Sequence, residues 1–120
     1  MKPAIADFNL HDRVGNLIGR IATTFIEGEL LLGKFAPRLH FSLHKKLFNE
    51  FEYATNNQLF VEIDRLEKEI KEIGFFLIGP SPQMGRIEIA DLQIMGTDVS
   101  FRLKNQAPIT GESIAQFLQK

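Results

Sequence analysis

The chain has 120 residues, no cysteine, 44% hydrophobic and 24% charged residues, and a formal net charge of −1. Those values describe one globular domain over residues 1–120, without a disulfide framework or thiolate metal site. Near-neutral charge removes the drive toward nucleic acid or anionic membrane, and no run approaches the roughly 18 apolar residues of a membrane span.

The first residues, Met-Lys-Pro-Ala-Ile-Ala-Asp-Phe, lack the apolar core of a secretory signal, so a soluble cytoplasmic protein is expected. Aromatic usage is lopsided: eleven Phe, one Tyr and no Trp. Phe has no polar handle, so most of these rings belong in a core rather than on a stacking platform.

Residues 13–27 read as a helix, because Val14, Leu17, Ile18, Ile21, Ala22 and Phe25 recur at helical spacing between an Asp12 N-cap and Gly28. Against this, Gly15 and Gly19 each cost about 1 kcal/mol in a helix interior. The competing reading is a hairpin of residues 20–26 and 29–35, turning at Glu27-Gly28; the helix is preferred. Residues 38–44 alternate as a half-buried strand does, with Leu39, Phe41 and Leu43 on one face. Leu43, Leu47 and Phe51 also fit a helix over 43–54 capped at Ser42. A third helix over 57–73 is the clearest element. Leu59, Ile63, Leu66, Ile70 and Ile73 form its stripe, and Asp64–Lys68 and Glu67–Lys71 are spaced as ion pairs.

After Gly74 the period changes to two. Residues 75–78 form a short buried strand, 79–85 a loop, 86–95 a strand, 96–98 a turn and 99–104 a last strand. Ile87 and Ile89 occupy odd positions while Leu92 and Ile94 occupy even ones. Such a slip implies a β-bulge near Ala90-Asp91. After Pro108, Thr110 caps a short helix carrying Ile114, Phe117 and Leu118 on one side.

The expected fold is therefore α+β: two to three N-terminal helices on a small antiparallel β-meander, with a short C-terminal helix. A homodimer is compatible with it if the edge at 99–104 pairs across a two-fold.

No constellation of catalytic, metal-ligating or cofactor-binding residues is present. His40 and His44 have two-ligand helix spacing but no third ligand. Scattered Ser, His and Asp lack a nucleophile elbow, and the 79–85 loop lacks the Lys-Ser/Thr of a phosphate loop. Two weaker features remain. Lys34, Arg38, Lys45 and Lys46 fall in an acid-free stretch, a basic surface for an acidic protein partner unless the acidic residues 50–72 pack beside it and neutralise it. Asp91 at the bulge, with Arg102, Gly79, Ser81 and Gly85, is the candidate ligand site.

The leading expectation is a non-catalytic protein-interaction module of adaptor, inhibitor or immunity type. The alternative is a small-ligand-binding protein or minor enzyme using a pocket near Asp91 and the 79–85 loop. A concave pocket beside Asp91 favours the alternative, and a flat surface favours the module.

Overall fold

The computed structural model describes residues 6–79 and 85–104. Its frame is two antiparallel three-stranded meanders closed into one barrel. The first is β1 (Ala6–His11), β2 (Leu17–Glu27) and β3 (Leu30–Pro37); the second is β4 (Phe76–Ile78), β5 (Arg86–Met95) and β6 (Asp98–Leu103). β3 pairs with β6 and β1 pairs with β4, so the order around the barrel is β1-β2-β3-β6-β5-β4. Between β3 and β4 lies a helical insert: a 3-10 turn (Leu39–Leu43), α1 (Lys45–Asn56) and α2 (Phe60–Ile73).

This overturns the α+β expectation. The second meander, β4–β6, is present as expected, but it is half of a closed barrel rather than a sheet under three helices. Residues 13–27 form no helix; the competing hairpin is the structure, turning at Gly28-Glu29. The apparent helical spacing has a physical origin. β2 carries a register shift between Thr23 and Phe25, which changes the parity of its inward positions. Ile21 and Thr23 are buried before it and Ile26 packs on the core after it, while buried Ile18 falls at a second shift, in the β1–β2 pairing, so the apolar residues lose strict alternation. The β-branched run of Ile18, Ile21, Thr23, Thr24 and Ile26 suits a pleated strand better than a helix.

The glycines agree. Gly28 takes φ +62 in the hairpin turn. A Cβ at Gly33 would sit under 3.0 Å from the carbonyl oxygen of Ala22 on the neighbouring strand, so β2 and β3 can approach only with glycine there.

β1 has no counterpart among the expected elements. Its alternation rests on two positions, Phe8 and Leu10, buried while Asn9 faces out. The 38–44 strand is also corrected, since Leu39–Leu43 coil as a 3-10 turn whose Ser42 Oγ donates to Leu39 O. α1 starts two residues later than expected, with His44 rather than Ser42 at its N-cap. α2 ends at Gly74, as its pattern required. Its expected Asp64–Lys68 and Glu67–Lys71 pairs do not form; Arg65 instead bridges Glu62 at 2.8 Å and contacts Glu69. The C-terminal helix expected after Pro108 lies outside the described residues, as does Ser81.

The barrel is filled by Phe8, Leu10, Ile21, Leu31, Leu77, Ile87, Ile94 and Phe101, all nearly inaccessible. Its outward positions include Asp7, Arg20, Lys34 and Arg102, the opposite sidedness to a lipid-facing barrel. Among the described residues no helix is long and apolar enough to cross a membrane.

A run of aromatic rings moors the insert. Phe35 of β3 meets Phe41 edge-on at 5.1 Å, Phe41 meets Phe48 of α1 at 6.2 Å, and Phe48 meets Phe75 at 5.6 Å. Each such pair adds about 0.5–1.5 kcal/mol beyond its area burial. That chain accounts for four of the eleven Phe. β6 is hydrogen-bonded on both sides, so the free edge on which a homodimer was expected is absent.

Candidate functional site

Two concave surfaces flank α2. The first is a groove of 620 Å³ between α1 and the start of α2, floored by Ala54 and Leu66 and walled by Tyr53, Leu59, Lys45 and Lys46. It results from how the helices pack. Phe48, Phe51 and Ala54 turn one face of α1 to the core, and Leu66 and Ile70 do the same for α2. The opposite faces are left to solvent, and their apolar members stay uncovered.

Exposed large apolar side chains are concentrated on the helical insert, and two of them, Tyr53 and Leu59, line this groove. Of the eight that are exposed among the described residues, six fall between positions 39 and 61: Leu39, Leu43, Tyr53, Leu59, Phe60 and Val61. Phe60 is 70% exposed and Val61 81%. Single exposed apolar residues are ordinary on a protein surface, whereas six on one insert, spread over its 3-10 turn, α1 and the start of α2, exceed that background.

The charges of this groove are uneven. In the α2 wall Arg65 is neutralised by Glu62 and Glu69, and its hydrogen bond to Glu62 holds that carboxyl below the usual carboxylate range. Lys45 and Lys46 have no ion pair among the described residues. The other two members of the expected basic surface stand elsewhere. Lys34 on β3 bridges Asp98 at 2.6 Å, and Arg38 ends the strand where its N–H meets Ile18 O. No ion pair among the described residues joins the basic stretch to the acidic 50–72 stretch, although Lys45, Lys46, Glu50 and Glu62 line one groove.

The second surface is a cleft of 530 Å³ between α2 and β5, with Ile70, Phe75, Ile89 and Leu92 on its floor and Asp91 on its rim. Asp91 does sit in a bulge, between Ala90 and Gln93, at φ 55. Arg102 Nε lies 3.6 Å from its Oδ2. Across the cleft stands Glu67, whose carboxyl is raised first by burial and then by the like charges of Asp64 and Asp91. Neither Gly79 nor Gly85 lines the cleft; they close the far ends of β4 and β5. The expected ligand constellation is thus split, with Asp91 and Arg102 together and the glycines apart.

A third feature carries almost no mark in the local sequence. His44 Nε2 lies 3.1 Å from Asp12 Oδ2, with both side chains largely buried. Asp12, expected as a helix cap, instead organises the β1–β2 turn, accepting the Asn16 backbone N–H at 2.9 Å and Asn16 Nδ2 at 3.1 Å. Burial alone would raise the Asp12 carboxyl, but the His44 and Asn16 hydrogen bonds outweigh it and hold it below the usual value. The only sequence signal is an Asp-x-x-x-Asn turn and a His 32 residues beyond its Asp. Among the described residues no group of three His, Cys, Asp or Glu could hold a metal ion.

No protein-family model matches the chain, and no curated protein or solved structure is significantly similar to it.

Proposed function

We propose that the protein is a non-catalytic interaction module that holds a partner protein in the α1–α2 groove. The observation that carries this is the exposed Tyr53 and Leu59 beside Lys45 and Lys46 in one groove, on an insert that leaves six large apolar side chains exposed. The barrel beneath supplies a rigid platform, since all its strands are paired and the aromatic run ties the insert to it. The partner segment that fits is an amphipathic helix with acidic residues beside its apolar face. Its apolar residues meet Tyr53 and Leu59, and its acids meet Lys45 and Lys46. A cytoplasmic setting is part of this proposal and rests on the cysteine-free composition.

The test is affinity capture from the source cells by wild type, by Tyr53→Asp/Leu59→Asp and by Lys45→Glu/Lys46→Glu. A polypeptide retained by wild type and lost from both variants, with salt-sensitive binding, supports the reading. A wild type that retains nothing, or variants that retain the same polypeptide equally, overturn it.

The concavity beside Asp91 favours a second, small-ligand reading, under which Asp91→Asn abolishes ligand binding while the fold survives. The interaction reading is preferred because Asp91 is already engaged by Arg102 and, among the described residues, no metal-holding cluster stands beside it.

A further inference from the structure

Leu59 lines the α1–α2 groove, and the two residues after it open α2 as an exposed knob: Phe60 is 70% accessible and Val61 81%. Asp64 follows Phe60 by one turn on the same helix face. It is exposed and joins no ion pair among the described residues. An apolar pair with an acid beside it is the complement of a groove that offers Tyr53, Leu59 and an unpaired lysine. We propose that the groove's partner is a second copy of this chain. Phe60 and Val61 of each copy seat on Tyr53 and Leu59 of the other, and Asp64 of each meets Lys46 of the other.

The inference rests on the groove being a docking site, and three observations select the second copy as its occupant. The first is charge. Arg65 is answered by Glu62 and Glu69 within one copy, whereas Lys46 and Asp64 are answered by nothing among the described residues. Opposite charges left unpaired within a copy are satisfied between two, and like charges then exclude other registers.

The second is placement. The knob and the groove abut at Leu59, so one two-fold axis makes both contacts at once and closes the assembly. The groove runs from Leu59 and Tyr53 toward Lys46 near the start of α1. A two-fold along it keeps the copies level, with Phe60 and Val61 at the Tyr53 end and Asp64 one turn nearer Lys46. The third is topology. Each barrel strand has a neighbour on both sides, so copies have no strand edge through which to pair, and the insert is left as the surface that joins them. The barrel core is complete within one copy, so the separated monomer stays folded.

Sedimentation velocity of the purified full chain tests this, with far-UV circular dichroism as the check that each variant folds. Wild type should reach the mass of two chains, and Phe60→Asp/Val61→Asp should remain at the mass of one. Lys46→Glu and Asp64→Lys should each be monomeric alone, because each sets like charges against one another at both contacts. Mixed together they should form a dimer, since both contacts then join opposite charges. A wild type that is monomeric at every concentration overturns the inference. So does a dimer that survives Phe60→Asp/Val61→Asp, or a mixture of the two charge variants that stays monomeric. A monomeric wild type that still captures a different polypeptide, lost from Tyr53→Asp/Leu59→Asp, overturns the second copy and leaves the groove as a docking site. Groove variants that change neither assembly nor capture overturn both.

Discussion

His44 and Asp12 are joined across the fold by a 3.1 Å hydrogen bond from Nε2 to Oδ2 that ties the helical insert to the β1–β2 turn. An ionised carboxylate only accepts, so Nε2 carries the proton. The imidazole also meets Phe75 edge-on at 5.1 Å, which fixes its ring plane. Replacing either partner leaves the other buried and short of a bond. His44→Ala and Asp12→Ala should each destabilise the protein by about 1–3 kcal/mol in urea unfolding. A double-mutant cycle should show coupling of about 0.5 kcal/mol or more. Additive losses would mean that the contact contributes nothing of its own.

The same residue sets an acid limit. The folded Asp12 carboxyl is held below its ordinary value of 3.8, so the unfolded chain binds the proton more readily. The resulting stability is complete above about pH 4 and is lost as pH falls through the lower folded value. Asp12→Asn should be less stable than wild type at pH 7, with the gap closing as pH drops below about 4. A gap that stays constant down to about pH 2 would contradict the assignment.

Glu67 predicts the reverse sign. Burial and the charges of Asp64 and Asp91 raise its carboxyl above 4.5, so at neutral pH the folded state carries an unfavourable charge. Glu67→Gln should raise the Tm at pH 7. The gain should shrink as pH falls through the raised value, where wild type protonates and relieves the repulsion itself. A lower Tm for Glu67→Gln at pH 7 would show that Glu67 makes a compensating contact.

Close strand approach can be tested at Gly33. Gly33→Ala forces a Cβ against the Ala22 backbone and should cost about 1–3 kcal/mol, from overpacking that no rotamer can relieve. Gly28→Ala meets nothing within 4 Å and should cost only about 1 kcal/mol, from its positive φ. Chemical denaturation of the two variants distinguishes them; equal losses would refute the close approach.

The exposed rings of the insert should be dispensable for folding. Phe60→Ser and Val61→Ser should change stability by no more than about 0.5 kcal/mol, as surface substitutions do. Phe48→Ala, at 1% exposure, should cost about 3–5 kcal/mol. A large loss from Phe60→Ser would place that ring in a core contact and remove it from the docking surface.

Much of the second half of the chain is legible from residue order. The stripe of α2, the stop at Gly74 and the strands 86–95 and 99–104 all derive from local period and punctuation. The bulge at Asp91 is also readable, because two apolar positions on each side of it expose the change of parity. β2 carries an equivalent slip, yet there it imitates a helix. Its inward positions include a glycine and a threonine, so the apolar marks are too few to show alternation. For the candidate site, Lys45 and Lys46 stand out as cations in the sequence, but the groove between them and α2 does not. Phe60 and Val61 look like core residues until the packing leaves them out.

Local sequence thus determined the turn between β5 and β6, where α2 ends and which face of it is apolar, because those depend on neighbours within a few residues. Only the tertiary structure decided that six strands close on one another, that His44 finds Asp12, and that one apolar cluster stays outside. Barrel closure depends on pairings such as β1 with β4 and β3 with β6, between segments that are more than sixty residues apart. No local period encodes such a pairing. It is settled when burying one set of apolar faces leaves every strand edge satisfied, a condition on the whole chain at once.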